Sequence, residues 1–358
     1  MPPARRRFSR PRKVVFTVLA LPFMWLLLEI AIAATGLHKR PSERVFSDVY
    51  EAAYELLPGV RVPFGNAPTP DDPTNHASFR GPEFTDEKPP GTYRIIAIGD
   101  STTFGVMVPE PQTYARRLET LLRKDRPEVE VLNAGVPGTN IFAHRVLLAK
   151  KLRHFAPDLL VVYVLYNSRP EVENIRRTVL RGRAHTKTQL ALRHSAVYRL
   201  LRRLLKGGFA LESGDPLAHY VGPYATDIGT QGGWVETSFG KDLDELAAQA
   251  AAAGTKLVLA YHLTRPVMEA ISTRRDGKPR PVTSYERMKK LTRDAAQRHD
   301  ALFVDVTPAF LAAKANNTTL FLDDVHFSSA GHRLMAEALA TLVAPIIATP
   351  ATPNAGGI

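Results

Sequence analysis

Cysteine is absent from the 358-residue chain. That absence excludes disulfides, thiolate zinc sites and a cysteine nucleophile, and it leaves the compartment open, because a disulfide-free protein can sit on either side of a membrane. There is also no HExxH motif and no dense histidine cluster, so the ligand set of a metallohydrolase is missing, and no metal or other cofactor is expected. Acidic residues are scarce in two places. Residues 1–40 hold eight Lys/Arg against one Glu, and residues 174–211 hold ten Lys/Arg and no acid. These two segments carry more than the whole formal charge of +12, which leaves the rest of the chain mildly acidic. The basic total therefore describes local segments and does not argue for a nucleic-acid partner. What the chain does have is an apolar fraction of 44%, enough for a sizeable core in one large domain or two smaller ones.

Six positive charges (Arg5, Arg6, Arg7, Arg10, Arg12, Lys13) stand before a mostly apolar run of 21 residues, Val14 to Ala34. As a helix this run spans about 31 Å, the thickness of a bilayer core. The flanking charges predict a cytoplasmic tail over 1–13, one transmembrane anchor over 14–37 in contact with the lipid bilayer, and a periplasmic or extracellular body. Ala31-Ile32-Ala33 would serve as a signal-peptide cleavage site, but the run exceeds the about 7–15 residues of a signal core, which favours an uncleaved anchor. Glu29 lies inside the run, where a carboxylate is costly, yet only five residues from its outer end. It is read as snorkelling toward the headgroups, with pairing to another membrane helix as the alternative.

Residues 38–92 read as a proline-rich stalk and wrapping segment, helical only over Glu43–Leu57, with Asn75 and Phe79-Arg80-Gly81 as candidates to dock on the body. A β–α rhythm then begins. Ile95–Ile98 form an apolar strand entering Gly99-Asp100-Ser101, and Tyr114, Leu118, Leu121 and Leu122 make one face of a helix. A strand over Val129–Leu132 runs into a turn containing Gly135 and Gly138, followed by a helix to Phe155. The strand Leu159–Leu165 ends at Tyr166-Asn167-Ser168. Residues 169–237 interrupt the rhythm with an apolar stripe (Leu190, Val197, Leu200, Leu201, Leu204, Leu205) set among Arg193, Arg199, Arg202, Arg203 and Lys206. Such a basic amphipathic helix can contact an anionic membrane surface through 174–206, cap a site, or pack on the body with a solvated face. Helices near 243–253, 283–298 and 334–347 alternate with strands over Lys256–Tyr261 and Leu302–Asp305, and 348–358 is a tail. Five candidate strands, each followed by a helix or long loop, predict an α/β fold: a three-layer α/β/α sandwich over 93–347.

Chemistry gathers at the strand ends. A serine at the C-terminal end of a parallel strand stands in the crevice where open α/β sheets bind ligands. In Asp323-Asp324-Val325-His326, an Asp three residues before a His can hold the imidazole Nδ1–H and leave Nε2 free as a base. His262, ending the fourth strand, reads as a site-lining or core residue. Asn167 is an oxyanion donor or an Asx-turn residue on its own merits. Taken in order, Gly99-Asp100-Ser101, Asn133-Ala134-Gly135-Val136-Pro137-Gly138, Tyr166-Asn167-Ser168 and Asp323-Asp324-Val325-His326 resemble the four blocks of the SGNH hydrolase superfamily, the GDSL-type esterases and lipases.

That resemblance implies a flavodoxin-like five-stranded parallel sheet, with Ser101 as nucleophile, His326 as general base and Asp323 as its orienting carboxylate. It also implies an oxyanion hole of the Ser101 N–H, the Gly138 N–H and the Asn167 amide. The third block is usually Gly-x-Asn-Asp, so Tyr166 and Ser168 are departures, and Asp324 is an alternative to Asp323. The implied reaction is hydrolysis of an acyl ester through an acyl-enzyme on Ser101. Export to the envelope points to an O-acetylated glycan or a lipid-like ester. O-acyl transfer to a glycan hydroxyl would use the same residues. A non-catalytic polysaccharide-binding scaffold is a third reading, which the intact set of Ser101, Gly138, Asn167, Asp323 and His326 argues against.

Overall fold

The computed structural model describes residues 10–35, 37, 55–62, 72–164, 195–205, 232–261, 264–272 and 284–348. Asn167, His262, nearly all of the expected helix at 43–57, and the tail beyond Ala348 lie outside them. The chain forms two compact units, residues 1–44 with 181–214, and residues 45–180 with 215–358.

The first unit opens with helix α1 (Arg10–Thr35). The second carries β1 (Tyr93–Gly99), α2 (Ser101–Phe104), α3 (Tyr114–Leu122), β2 (Val129–Gly135), α4 (Ile141–Lys150) and β3 (Leu159–Val164). The chain then supplies α5 (Ala196–Leu205) to the first unit before returning with α6 (Gly232–Ala252), β4 (Lys256–Tyr261), α7 (Arg265–Ser272), α8 (Ser284–Arg298), β5 (Leu302–Val304), α9 (Thr307–Ala315) and α10 (Ser329–Ala348).

All five strands are parallel, in the order β2-β1-β3-β4-β5. This is the doubly wound arrangement, and the direction of winding reverses between β1 and β3, the switch point beyond whose strand C-terminal ends open α/β sheets bind ligands. Both faces are covered, which is why the strands are apolar on both sides. Ile96, Ile98, Leu132, Leu160, Val162 and Leu259 pack with Leu147 of α4, Leu243 and Leu246 of α6, and Met288 of α8. Ile95, Ala97, Val131, Val161 and Val258 pack on the other side with Leu118 of α3, Phe310 of α9, and Met335, Leu339 and Val343 of α10. The three-layer sandwich with a five-stranded parallel sheet is thus present.

Local differences from the sequence reading have packing reasons. β2 continues through Asn133-Ala134-Gly135, expected as turn, because these residues pair in register with Ala97, Ile98 and Gly99. The final helix starts at Ser329, five residues before the expected Leu334, because His332 and Gly331 lie against the Leu320–Phe327 loop and not in solvent. Two described helices are long and apolar enough to cross a membrane, α1 over Val18–Thr35 (mean hydropathy 2.1) and α10 (1.2). They differ in exposure. Met335, Leu339, Val343 and Ile347 of α10 are buried in the sandwich, whereas Leu19, Phe23, Leu26 and Ile30 of α1 are exposed. Pro22 inside α1 is tolerated in membrane-spanning helices better than in soluble ones.

Residues 72–92 wrap the sandwich. Arg94, fully buried in β1, donates to the carbonyls of Thr85, Asp86 and Phe155 and pairs with Glu130 at 2.6 Å, strapping this segment to the sheet.

Candidate active site

β1 delivers Ser101 to the switch point at its C-terminal end. Asp100 is the N-cap of the short α2, its Oδ1 accepting from Thr102 N at 2.9 Å, and Gly105 closes the turn in the left-handed conformation, φ 80°. Burial pushes the Asp100 carboxyl up to about 6, against the Thr102 N–H and the charge of His326, which favour its ionised form. Beneath α2 lies Gly135. A Cβ there would stand 2.3 Å from Phe104 N and 2.8 Å from Thr103 C, so only glycine lets β2 approach the turn this closely.

His326 comes from the loop between α9 and α10. Leu322 N donates to His326 O at 2.9 Å and Ser328 N to Leu320 O at 2.9 Å, so the chain folds back on itself between Phe321 and Phe327. Within that fold Asp323 Oδ1 accepts the backbone N–H groups of Val325 and His326, both at 2.7 Å, and Oδ2 meets His326 Nδ1 at 2.7 Å. Burial alone would raise the Asp323 carboxyl. The hydrogen bond and charge of His326 and the two backbone donors outweigh it and hold the group at about 2. An ionised acceptor on Nδ1 leaves Nε2 as the proton-accepting nitrogen, and Nε2 lies 2.9 Å from Ser101 Oγ. Asp324 turns away. Its carboxylate pairs with Arg265 and its carbonyl accepts from Arg265 N at 2.9 Å, which ties the loop to the start of α7.

Gly138 lies in the turn Val136-Pro137-Gly138-Thr139, closed by Thr139 N donating to Val136 O at 3.2 Å. Proline at the second position and glycine with φ 82° at the third are the requirements of a type II turn. The turn is fastened to the end of β1, two residues before Ser101, by Val136 N donating to Gly99 O at 2.9 Å. Thr139 Oγ1 donates to Val136 O at 2.7 Å, so His144 Nε2, at 3.1 Å, is the donor to that hydroxyl. Burial pushes the His144 imidazole down to about 3, keeping it neutral for this role. Gly135 N–H is directed to Asn133 Oδ1 at 3.1 Å, whereas Gly138 occupies the third position of the turn.

Of the five sequence-predicted residues, the fold brings Ser101, Asp323 and His326 into one hydrogen-bonded line and fastens the Gly138 turn beside it; Asn167 lies outside the described residues.

Arg80 was legible only as a docking candidate, and its contacts reach further. Its guanidinium, 1% exposed, donates to Phe104 O at 3.0 Å, to Gly105 O and to Val108 O at 2.8 Å, and pairs with Asp72 at 3.0 Å. Its own N–H donates to Asn133 O at 3.1 Å, while Asn133 Nδ2 donates to Thr103 O at 2.9 Å. The wrapping segment therefore clamps the far end of the turn that carries Ser101. A lone Arg in a proline-rich stretch carries no periodic signal that would have predicted this.

Several comparisons bear on the chain as a whole. No sequence among curated proteins matches it. Acetylxylan esterase Axe2 from Geobacillus stearothermophilus is 16% identical with a TM-score of 0.43, covering 70% of this chain and 93% of its own. LAE5, an alpha/beta hydrolase enzyme from the metagenome of Lake Arreo, Spain, is 19% identical with a TM-score of 0.44, over 70% and 96%. The model of the GDSL-like lipase/acylhydrolase family matches residues 97–334, a span that begins in β1, ends in α10 and takes in every block described above. By that match the chain belongs to the GDSL-like lipase/acylhydrolase family, and it is a carboxylic ester hydrolase of the SGNH/GDSL type.

Proposed function

We propose that this protein is an exported, membrane-anchored serine esterase that removes the acyl group of an envelope ester, an O-acetylated glycan or a lipid-like ester, through an acyl-enzyme on Ser101. The observation that carries the reading is the line Ser101 Oγ, His326 Nε2, His326 Nδ1, Asp323 Oδ2, with separations of 2.9 and 2.7 Å. Ser101 attacks the ester carbonyl as His326 takes its proton, and the imidazolium then protonates the departing alkoxide. Asp323 keeps the ring oriented and offsets its positive charge. The tetrahedral oxyanion is met by the backbone N–H groups of Ser101 and Gly138 and the side-chain amide of Asn167. Water, activated by the same histidine, releases the acid and restores the serine. No step calls for a cofactor.

Residues 14–37 hold the protein in the bilayer with the N-terminus cytoplasmic. Supporting retention of the anchor is the hydrogen bond of Glu29 to Ser195 at 2.8 Å, a contact that cleavage after Ala33 would remove.

Hydrolysis of a panel of aryl and glycan acetates and longer acyl esters by the full-length protein in detergent tests the reading. Wild type should release acid and lose activity about 10⁴-fold or more in Ser101→Ala, and hydroxylamine should intercept the acyl group. Equal rates for wild type and Ser101→Ala across the panel would overturn it.

A further inference from the structure

Glu29 is six residues from the end of α1 at Thr35, about 9 Å below it along the helix axis. Its carboxylate accepts from Ser195 Oγ at 2.8 Å, from Val197 N at 3.2 Å and from Ala196 N. Ser195 Oγ in turn accepts from Tyr198 N at 3.1 Å. Glu29 thus caps the first turn of α5 from a separate helix, and the positive end of the α5 dipole offsets a charge that would be expensive in lipid. The carboxylate is thus paired with a second helix of the same unit.

The cap fixes where α5 begins relative to α1. At 100° per residue, Ala196, Val197, Leu200, Leu201, Leu204 and Leu205 fall within one half of the helix circumference, while Arg199, Arg202 and Arg203 occupy the opposite arc. Ala196 and Val197, beside the cap, are buried, yet Leu201 and Leu204 farther along the same arc are 48% and 46% exposed. An apolar stripe that starts at a hydrogen bond to a membrane-spanning helix and continues exposed has the bilayer as its nearest apolar phase. Its arginine arc has the charge that anionic headgroups attract.

We infer that α1 and α5 form one hydrogen-bonded membrane unit in which α5 lies in the outer leaflet's interface, leucines among acyl chains and arginines at anionic lipid phosphates. The inference rests on the anchor reading above and extends it.

The absence of cysteine from the chain makes the test direct, since any introduced cysteine is unique. Full-length Leu201→Cys, Leu204→Cys and, as the anchor reference, Leu26→Cys are spin-labelled in nanodiscs of phosphatidylcholine alone or mixed with phosphatidylglycerol. Accessibility to oxygen against a water-soluble nickel chelate is then read for each. The expected result is lipid-like accessibility at all three sites, deeper at 201 and 204 in the anionic discs. Loss of a cap shifts a helix's docked population by about 2- to 30-fold, so Glu29→Leu should raise nickel accessibility at 201 and 204 within that range and leave 26 unchanged. Aqueous labels at 201 and 204 with a lipid-buried 26 overturn the inference and spare the anchor. An aqueous label at 26 overturns the anchor itself. Dipolar broadening between α5 labels of neighbouring chains would assign the leucine face to a second copy and overturn the lipid assignment. Identical depths in neutral and anionic discs would overturn the role given to the arginines.

Discussion

Gly135→Ala tests whether the closeness of β2 to α2 sets the position of Ser101. The added Cβ would stand 2.3 Å from Phe104 N, 2.8 Å from Thr103 C and 2.9 Å from Phe104 Cα, where ordinary contact begins near 3.4 Å. All three atoms are backbone, so no rotamer change relieves the overlap, and the strand and the turn must part by about 1 Å. β2 is held in register with β1 by seven residue pairs, including Gly135 with Gly99. The four-residue α2, with the Gly105 hinge behind it, is the softer partner and takes most of the shift. Ser101 Oγ would then leave its 2.9 Å distance to His326 Nε2. Misplacement by about 1 Å costs a reacting pair about 10²-fold, and overpacking of this kind costs about 1–3 kcal/mol of stability. The assay is the second-order rate of serine labelling by a fluorophosphonate, which reads nucleophile placement without knowledge of the natural ester, alongside kcat on an aryl acetate and Tm. Gly240→Ala, in a helix with nothing within 4 Å of the new methyl, is the control and should leave all three unchanged or raise Tm slightly. A labelling rate for Gly135→Ala within twofold of wild type, with Tm lowered or not, would refute the argument that this contact positions the serine.

Asp323→Asn should lower kcat about 10²–10⁴-fold with little change in KM, whereas Asp324→Asn, which removes only the pairing to Arg265, should stay within about tenfold; reversal of that order would assign the orienting role to Asp324. Asp100 gives a pH-dependent stability term. Its folded value near 6 lies above its unfolded value, so the stability it contributes is fully present at low pH and is lost as pH rises through 6, by roughly 3 kcal/mol. Asp100→Asn, which keeps an oxygen for Thr102 N, should therefore gain in Tm over wild type as pH goes from 4 to 7, and a pH-independent difference between the two melting curves would contradict the buried-carboxyl argument. Arg80→Lys can retain the ion pair to Asp72 but cannot reach three carbonyls at once, and each buried carbonyl left unpaired costs about 1–3 kcal/mol. Its urea midpoint and its fluorophosphonate labelling rate should fall together; an unchanged labelling rate in a destabilised protein would make Arg80 a stability strap alone.

The sequence by itself determined the sheet and its chemistry-bearing ends. Uninterrupted apolar runs at Ile95–Ile98, Leu159–Val164 and Leu257–Tyr261 fit strands covered on both faces, and five strands separated by helices or long loops leave a parallel sandwich as the short-connection solution. Gly99-Asp100-Ser101 and Asp323-Asp324-Val325-His326 were legible because their chemistry is local: a turn after a strand, and a carboxylate three residues from its imidazole. The distances between them were not. Ser101 and His326 are 225 residues apart, and only the winding that puts β1 at the switch point and the loop before α10 above it brings Oγ to Nε2. Asp323 was the favoured carboxylate from sequence; what only the tertiary structure decided is the partner of Asp324, which pairs with Arg265 at the start of α7. Arg80 and Glu29 were legible only as candidates for contact, without their partners. The partners stayed hidden because a side chain's local sequence records neither the carbonyls that end a turn twenty-four residues away nor the open N-terminus of a helix found after 166 more residues. Periodicity and local spacing report which elements form; which unpaired groups those elements bring to one another is decided only when the chain has closed on itself.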